Sequence, residues 1–108
     1  MGCYTEYAIK TIEDKENKCL YNALKTIKSN MDDFENILLF TEEEEFETQQ
    51  DFYYHKEMLK LSILMPNVTF LIKSKHEYAD GWTFDFYKNG KHYETSQEEP
   101  EFDETKLN

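Results

Sequence analysis

The feature that most constrains the fold is the dipeptide Asn89-Gly90, which stands between two stretches of alternating apolar and polar residues. Asparagine followed by glycine is the preferred sequence of a two-residue type I′ turn, because both positions need a positive φ. The dipeptide therefore predicts a β-hairpin that joins a strand beginning near Trp82 to a strand over 91–95. A two-residue loop also fixes the register, so the expected facing pairs are Lys88 with Lys91, Tyr87 with His92, and Phe86 with Tyr93.

Hydrophobic periodicity predicts five further elements before this hairpin. They are a strand over 3–12, a helix over 13–29, a strand over 34–47, a helix over 49–64 and a strand over 68–73. The second helix is expected to end at Met65, because the residue before Pro66 resists the α conformation. The order β-α-β-α-β-β(-β) predicts an α+β fold, with two helices packed on one face of an antiparallel or mixed sheet in a ferredoxin-like arrangement.

The predicted strand over 34–47 has two unlike halves. Residues 34–40 are mostly apolar, as in a strand that is covered on both faces, whereas 42–47 are acidic except for Phe46. One interpretation is a strand that starts in the core and runs out into water. A break near Thr41 is equally compatible with the pattern.

The connection between the strands over 68–73 and 82–87 is also informative. A two-residue turn at Asp80-Gly81 would place Phe70 and Phe84 on opposite faces of the sheet. Because a core on one face needs them on the same side, we predict a wider loop or a bulge within 74–81 that shifts the register by an odd number of residues.

The length of 108 residues indicates one domain, which we place at 1–96, followed by an acidic tail over 97–108. The tail is expected to be mobile, although Phe102 and Leu107 could dock. The N-terminus lacks the basic and apolar regions of a signal peptide, and no apolar run reaches the length of a membrane span. Cys3 and Cys19 are interpreted as reduced thiols. A cytoplasmic protein in the cytosol of a host cell is therefore expected.

No pattern of residues typical of catalysis is present. The three histidines do not have the spacing of a zinc site, and three glycines cannot form a phosphate-binding loop. Surface or strand-edge positions are expected for His55, His76 and His92. The sequence therefore predicts a protein that is not an enzyme, with no metal site and no cofactor.

The negative charge is concentrated in two segments. The chain has a formal net charge of −11; residues 32–51 contain nine acidic residues and no lysine, and 92–108 contain six acidic residues and one lysine. Such segments can simply keep a small aromatic-rich protein soluble. They can also imitate nucleic-acid phosphates, because the rise of a strand, about 3.4 Å per residue, is close to the spacing of phosphates along one DNA strand. The candidate partner-binding residues are Asp32, Asp33, Glu35, Glu42, Glu43, Glu44, Glu45 and Glu47.

The second half of the chain resembles a group of small phage and mobile-element proteins. The resemblance is carried by a helix stop, an aromatic hairpin and an acidic end, namely Ser62, Pro66, Asn67, Val68, Phe70, Trp82, Phe86, Tyr87, Asn89, Gly90, Lys91, Pro100, Phe102, Asp103, Glu104, Lys106 and Leu107. It implies a ferredoxin-like domain and a phage setting, and it brings no activity or site residues with it. By analogy of charge and size, acidic phage proteins of this kind are similar to anti-CRISPR and anti-restriction inhibitors.

These observations lead to one expected function and one alternative. The expected function is an acidic inhibitor that binds the nucleic-acid-binding surface of a host nuclease or CRISPR effector, partly by mimicking nucleic-acid charge. Direct binding to nucleic acid is not expected, because the net charge is negative and arginine is absent. Membrane binding is not expected either, and a homodimer is left open. The alternative is a structural or protein-interaction module of a phage that binds through the aromatic hairpin 82–95 without catalysis.

Overall fold

Five strands form one antiparallel sheet in the computed structural model of the chain, which describes residues 4–13, 18–49, 52–98 and 100–107. The strands are β1 (Thr5–Thr11), β2 (Glu45–Thr48), β3 (Phe70–His76), β4 (Thr83–Lys88) and β5 (Lys91–Thr95), in the spatial order β2-β1-β3-β4-β5. Two α-helices, α1 (Cys19–Ser29) and α2 (His55–Leu64), pack on one face. The predicted α+β class is confirmed. None of the described helices is long and apolar enough to cross a membrane.

The Asn89-Gly90 turn has the predicted conformation. Its φ angles are 49° at Asn89 and 76° at Gly90, both positive as a type I′ turn requires. The turn contacts α2 as well, because the backbone N–H of Gly90 donates to Ser62 Oγ at 2.8 Å. The register is also confirmed: the facing pairs are Lys88 with Lys91, Tyr87 with His92, and Phe86 with Tyr93.

We expect Gly90→Ala to lower the free energy of unfolding by about 1–2 kcal/mol, measured by urea denaturation. An added Cβ would lie 3.0 Å from Ile63 Cγ1, and an alanine at φ +76° is strained. Gly81→Ala is the matched control, because nothing lies within 4 Å of a Cβ there. Its effect should stay within about 0.5 kcal/mol. Equal losses in the two variants would contradict this account of the turn.

Both faces of the sheet bury apolar side chains. The face toward the helices carries the inner cluster, in which the buried sheet residues Ile9, Phe70, Ile72 and Tyr87 pack against α1, α2 and residues 34–40. The opposite face carries the outer cluster, formed by Leu71, Phe84, Phe86 and Tyr93 with the partly buried Trp82, Phe102 and Leu107. The sheet is therefore the middle layer of the protein and is covered, in part, on each side.

This second cluster explains why the predicted register of β3 and β4 is wrong. The strands pair with Ser74 opposite Thr83 and Phe70 opposite Tyr87, so that residues 77–82 form the connection. The wider loop is confirmed. The predicted shift of the strand register by an odd number of residues is wrong, and Phe70 and Phe84 lie on opposite faces of the sheet. The prediction assumed that apolar residues are buried on one face of the sheet only. Phe70 is buried in the inner cluster, whereas Phe84 is buried in the outer cluster on the opposite face.

The prediction of one strand over 34–47 is wrong in its first half. Residues Ile37–Thr41 form a 3-10 helix, and only Glu45–Thr48 pair as a strand. Phe34, Ile37 and Phe40 are buried at a spacing of three, whereas Leu39 is 50% exposed. A spacing of three matches the three residues per turn of a 3-10 helix. The break near Thr41, which the sequence left open, is what the structure contains.

Both helices begin later than predicted. Helix α1 starts at Cys19 after Lys18, whose φ of 49° is not helical, and residues 14–17 lie outside the described residues. Helix α2 starts at His55; residues 52–54 before it have no regular secondary structure, and Phe52 contributes to an aromatic cluster. Its end is as predicted, with Met65 as the C-cap.

The C-terminal segment lies against the outer face of the sheet. The Phe102 ring packs on Phe86 and Tyr93, with ring centroids 5.6 and 6.1 Å away, and the Asp103 N–H donates to the Tyr93 hydroxyl at 2.8 Å. Residues Glu104–Lys106 form a short 3-10 helix. The mobility expected for the tail over 97–108 stays a prediction.

Candidate functional site

The eight acids predicted to bind a partner are all exposed, and they fall into two groups. The first group follows α1 and consists of Asp32, Asp33 and Glu35. The second group precedes and enters β2 and consists of Glu42, Glu43, Glu44, Glu45 and Glu47. Along the chain the groups are separated by the 3-10 helix, whose residues Ile37 and Phe40 are fully buried. We call the eight residues together the acidic surface.

None of these acids is neutralised by a close ion pair within the described part of the chain. The pairs found there at 4 Å or less are Lys88 with Glu104 and His92 with Asp85. The acidic surface therefore keeps its negative charge, and like charges on neighbouring residues add to the local potential.

The geometry of the acidic surface differs from the extended strand that the sequence suggested. Only Glu45 and Glu47 lie on β2, where Phe46 between them points into the inner cluster. Glu47 is paired across the sheet with Glu6 of β1, so a further carboxylate adjoins the group. The other acids lie outside the strands, and the two acids of β2 are two residues apart, about 6.8 Å along the strand, so the spacing of about 3.4 Å expected from the sequence is not matched.

A buried carboxylate holds the segment that joins the two groups. Glu57 on α2 is 8% exposed, and its Oε1 accepts hydrogen bonds from the backbone N–H groups of Asn36 and Ile37, both at 2.9 Å. Its Oε2 accepts from Asn36 Nδ2 at 2.6 Å. These bonds satisfy N–H groups that the first turn of a 3-10 helix leaves without an internal partner.

Packed aromatic rings hold β2 on the other side of this segment. The Phe46 ring lies 5.2 Å from Phe40, 5.1 Å from Phe52 and 5.6 Å from Tyr7, measured between centroids. Each such pair stabilises by about 0.5–1.5 kcal/mol beyond the burial of its area. The acids of β2 are therefore displayed from a packed part of the protein.

A second site, which the sequence did not predict, lies beside the N-terminus of α2. It is a cavity of about 690 Å³ bounded by the turn after α1, by residues 52–60 and by β4 and β5. Asp85 of β4 lies within it and is 5% exposed. The Tyr54 hydroxyl donates to Asp85 Oδ2 at 2.8 Å, and His92 Nε2 lies 2.7 Å from Asp85 Oδ1. Because a carboxylate can only accept, we assign the proton of this second bond to Nε2.

Two further side chains extend this network. His55 Nδ1 lies 3.0 Å from the Tyr87 hydroxyl, and the His55 and His92 rings meet edge to face with centroids 4.7 Å apart. His55 is exposed and His92 lies on the edge strand β5, so the predicted surface or edge positions are confirmed for both, although the sequence did not predict that the two rings meet. His76 is exposed at the end of β3.

The tyrosines of the network are held in the protonated form. Burial, followed by the negative charge of Asp85, raises the pKa of Tyr54 and of Tyr87 well above the usual value of 10.0. Both hydroxyls therefore remain hydrogen-bond donors across the physiological range.

The raised pKa values predict a loss of stability at alkaline pH. Because the folded protein keeps these two protons while the unfolded chain releases them near pH 10, the contribution is fully present below pH 10 and lost above it. We expect each tyrosine to lower the free energy of unfolding by about 1 kcal/mol between pH 10 and 11. Urea denaturation across this range, with Tyr54→Phe as the comparison, measures the effect. A variant whose stability falls as steeply as that of the wild type would contradict the assignment.

Other kinds of site have less support. Within the described ranges, no three His, Cys, Asp or Glu side chains come together in a way that could hold a metal ion. The hairpin 82–95, the alternative interaction surface, has Phe84, Phe86 and Tyr93 buried in the outer cluster under the C-terminal segment. A partner could reach these rings only after that segment moved away.

Comparison of the chain with protein-family models, with curated proteins and with solved structures finds no match in any of the three. The resemblance of the second half to phage and mobile-element proteins therefore stays a prediction.

Proposed function

We propose that this protein is an acidic inhibitor of the anti-CRISPR type, which binds the nucleic-acid-binding surface of a host nuclease or CRISPR effector. The observation that carries the proposal is the acidic surface: eight exposed carboxylates within residues 32–47, none in a close ion pair among the described residues. Lysine-rich and arginine-rich grooves that bind phosphates are the surfaces most attracted to exposed acids of this kind. The proposed protein acts in the host cytosol, without a cofactor and without catalysis of its own.

The way in which the acids are held favours docking over a purely solubilising role. A disordered acidic tail would lose conformational entropy on binding, and that loss weakens the complex. Here the segment between the two groups is held by Glu57 and by the buried residues Ile37 and Phe40. The carboxylates next to these anchors are therefore largely pre-positioned for a partner.

The proposal includes the phage setting and the ferredoxin-like arrangement that the sequence suggested. Strands β2 and β3 both run antiparallel to β1, which lies between them, and α2 connects the two. Such a split β-α-β unit occurs in ferredoxin-like folds and supports this part of the proposal.

A competition experiment tests the function. The protein is immobilised and exposed to purified nucleic-acid-binding effectors from a bacterial host, including CRISPR nucleases, with and without excess double-stranded DNA. We expect one of them to bind, to be displaced by the DNA, and to cleave its substrate more slowly when the free protein is added. Binding that DNA does not reduce would overturn the proposed mimicry, since partner and DNA would then occupy different surfaces.

A further inference from the structure

The cavity beside α2 combines aromatic walls with negative charge. Its lining includes the rings of Phe52, Tyr53, Tyr54 and Tyr87, two of which belong to the Asp85 network. The volume of about 690 Å³ lies within the range of pockets that bind small ligands or single side chains of a partner. Aromatic faces next to carboxylates are the surroundings in which an organic cation is stabilised.

Asp85 has hydrogen-bonding capacity that the described residues do not use. A carboxylate can accept about four hydrogen bonds, and Asp85 accepts one at each oxygen, from Tyr54 and from His92. Each oxygen therefore has one partner and can accept a second hydrogen bond. A ligand with N–H donors would supply that hydrogen bond from the cavity.

The other charges of the cavity also favour a cation. Lys56 and Lys60 are outnumbered by acids, and one of those acids, Glu57, is already engaged by Asn36 and Ile37. The acids that remain exposed around the cavity are Asp32, Asp33, Glu35 and Glu94. The raised pKa of Tyr54 and of Tyr87, caused first by burial and then by the charge of Asp85, is consistent with a negative potential in the cavity.

We propose that this cavity receives an arginine side chain of the partner protein, whose guanidinium group binds Asp85 and stacks on the aromatic walls. Arginine fits better than lysine, because its planar group donates several hydrogen bonds in fixed directions, stacks on rings and is more weakly hydrated. The inference rests on the proposed function, since arginine is typical of surfaces that bind nucleic acid. It adds a specific anchor to the acidic surface, whose first group, Asp32, Asp33 and Glu35, borders the same cavity.

A small-molecule titration tests the cavity without any partner. The probe is N-acetyl-arginine methylamide, and the control is the citrulline analogue, which has the same shape and no charge. We expect the arginine probe to shift the NMR signals of His55, His92 and Tyr54 in a saturable manner at millimolar concentration. The citrulline probe should shift them at least tenfold less, and the lysine analogue should bind more weakly than arginine. Equal responses to arginine and citrulline, or none to either, would overturn the proposal.

Variants locate the binding site of the probe. Asp85→Asn removes the charge with little change of shape, and we expect it to weaken arginine binding at least tenfold. Glu94→Gln, at an exposed position on the rim of the cavity, should weaken it twofold to threefold and gives a second measurement if Asp85→Asn fails to fold. The control Glu98→Gln, outside the cavity, should have no effect. If Glu94→Gln binds the probe as tightly as the control Glu98→Gln does, the cavity is not the site.

A failure of the cavity inference can be distinguished from a failure of the proposed function. A protein that binds a DNA-competed effector but no arginine probe retains the function and loses the cavity inference. A protein that binds the probe but no nucleic-acid-binding effector retains the cavity as a guanidinium site and loses the inhibitor function.

Discussion

Glu57→Ala is expected to lower the free energy of unfolding by about 3 kcal/mol, the largest effect on stability predicted for this protein. The Glu57 carboxylate is buried and accepts three hydrogen bonds, from the backbone N–H groups of Asn36 and Ile37 at 2.9 Å and from Asn36 Nδ2 at 2.6 Å. Alanine would leave these donors without their protein partner. Urea denaturation, followed by tryptophan fluorescence and circular dichroism, measures the change.

Two variants make this result specific. Glu35→Ala removes a carboxylate of the same type from an exposed position next to Asn36 and should change stability by no more than about 0.5 kcal/mol. Glu57→Gln keeps one acceptor oxygen and should lose roughly half as much stability as Glu57→Ala. If Glu57→Ala were as stable as Glu35→Ala, the carboxylate would not hold the segment between the two acidic groups.

The second large effect concerns affinity. We expect the triple variant Glu42→Gln, Glu43→Gln, Glu44→Gln to bind a nucleic-acid-binding partner at least roughly tenfold more weakly than the wild type. These three side chains are exposed, lie outside the strands and form no close ion pair within the described residues, so their replacement should leave the fold intact. Isothermal titration calorimetry with the purified partner measures the loss.

The matched control changes the same amount of charge elsewhere. Asp80→Asn, Glu98→Gln and Glu101→Gln neutralise three exposed acids outside the acidic surface. Because net charge changes equally in the two triple variants, a general electrostatic attraction would weaken both to the same extent. Only a specific contact through residues 42–44 would weaken the first variant and spare the control.

The parts of the fold that the sequence predicted best depend on local chemistry. The type I′ turn follows from the tolerance of Asn89 and Gly90 for positive φ, and its two-residue length then dictates the register of β4 and β5. The end of α2 follows from the steric effect of Pro66 on Met65. Neither feature needs information from distant parts of the chain.

The errors arise where distant contacts decide between local alternatives. A run such as Ile37-Leu38-Leu39-Phe40 is compatible with a strand, and the choice of a 3-10 helix depends on Glu57, some twenty residues away, which accepts the N–H of Ile37. The register of β3 against β4 depends on the outer cluster, to which Phe102 contributes from the C-terminal segment. Neither contact can be inferred from the pattern of apolar and polar residues in a short segment of the sequence.

The candidate site, likewise, was predictable only where the local sequence determines the structure. The predicted hairpin register places Tyr87 opposite His92, and Asp85 two residues earlier shares their face, so half of the polar network could have been found from the turn alone. Tyr54 and His55 could not, because their meeting with the sheet depends on how α2 packs. The acids of the acidic surface were identified individually, but their division into two groups depends on the 3-10 helix.

Binding of the acidic surface to a basic nucleic-acid-binding surface should depend strongly on salt, because the interaction is electrostatic. The dissociation constant for the partner is measured between 50 and 200 mM NaCl for the wild type and for the triple variant at residues 42–44. We expect the wild-type affinity to fall roughly tenfold or more over this range, and the affinity of the triple variant to depend less steeply on salt. An affinity that stays constant across this range, with the same slope for both proteins, would contradict the claim.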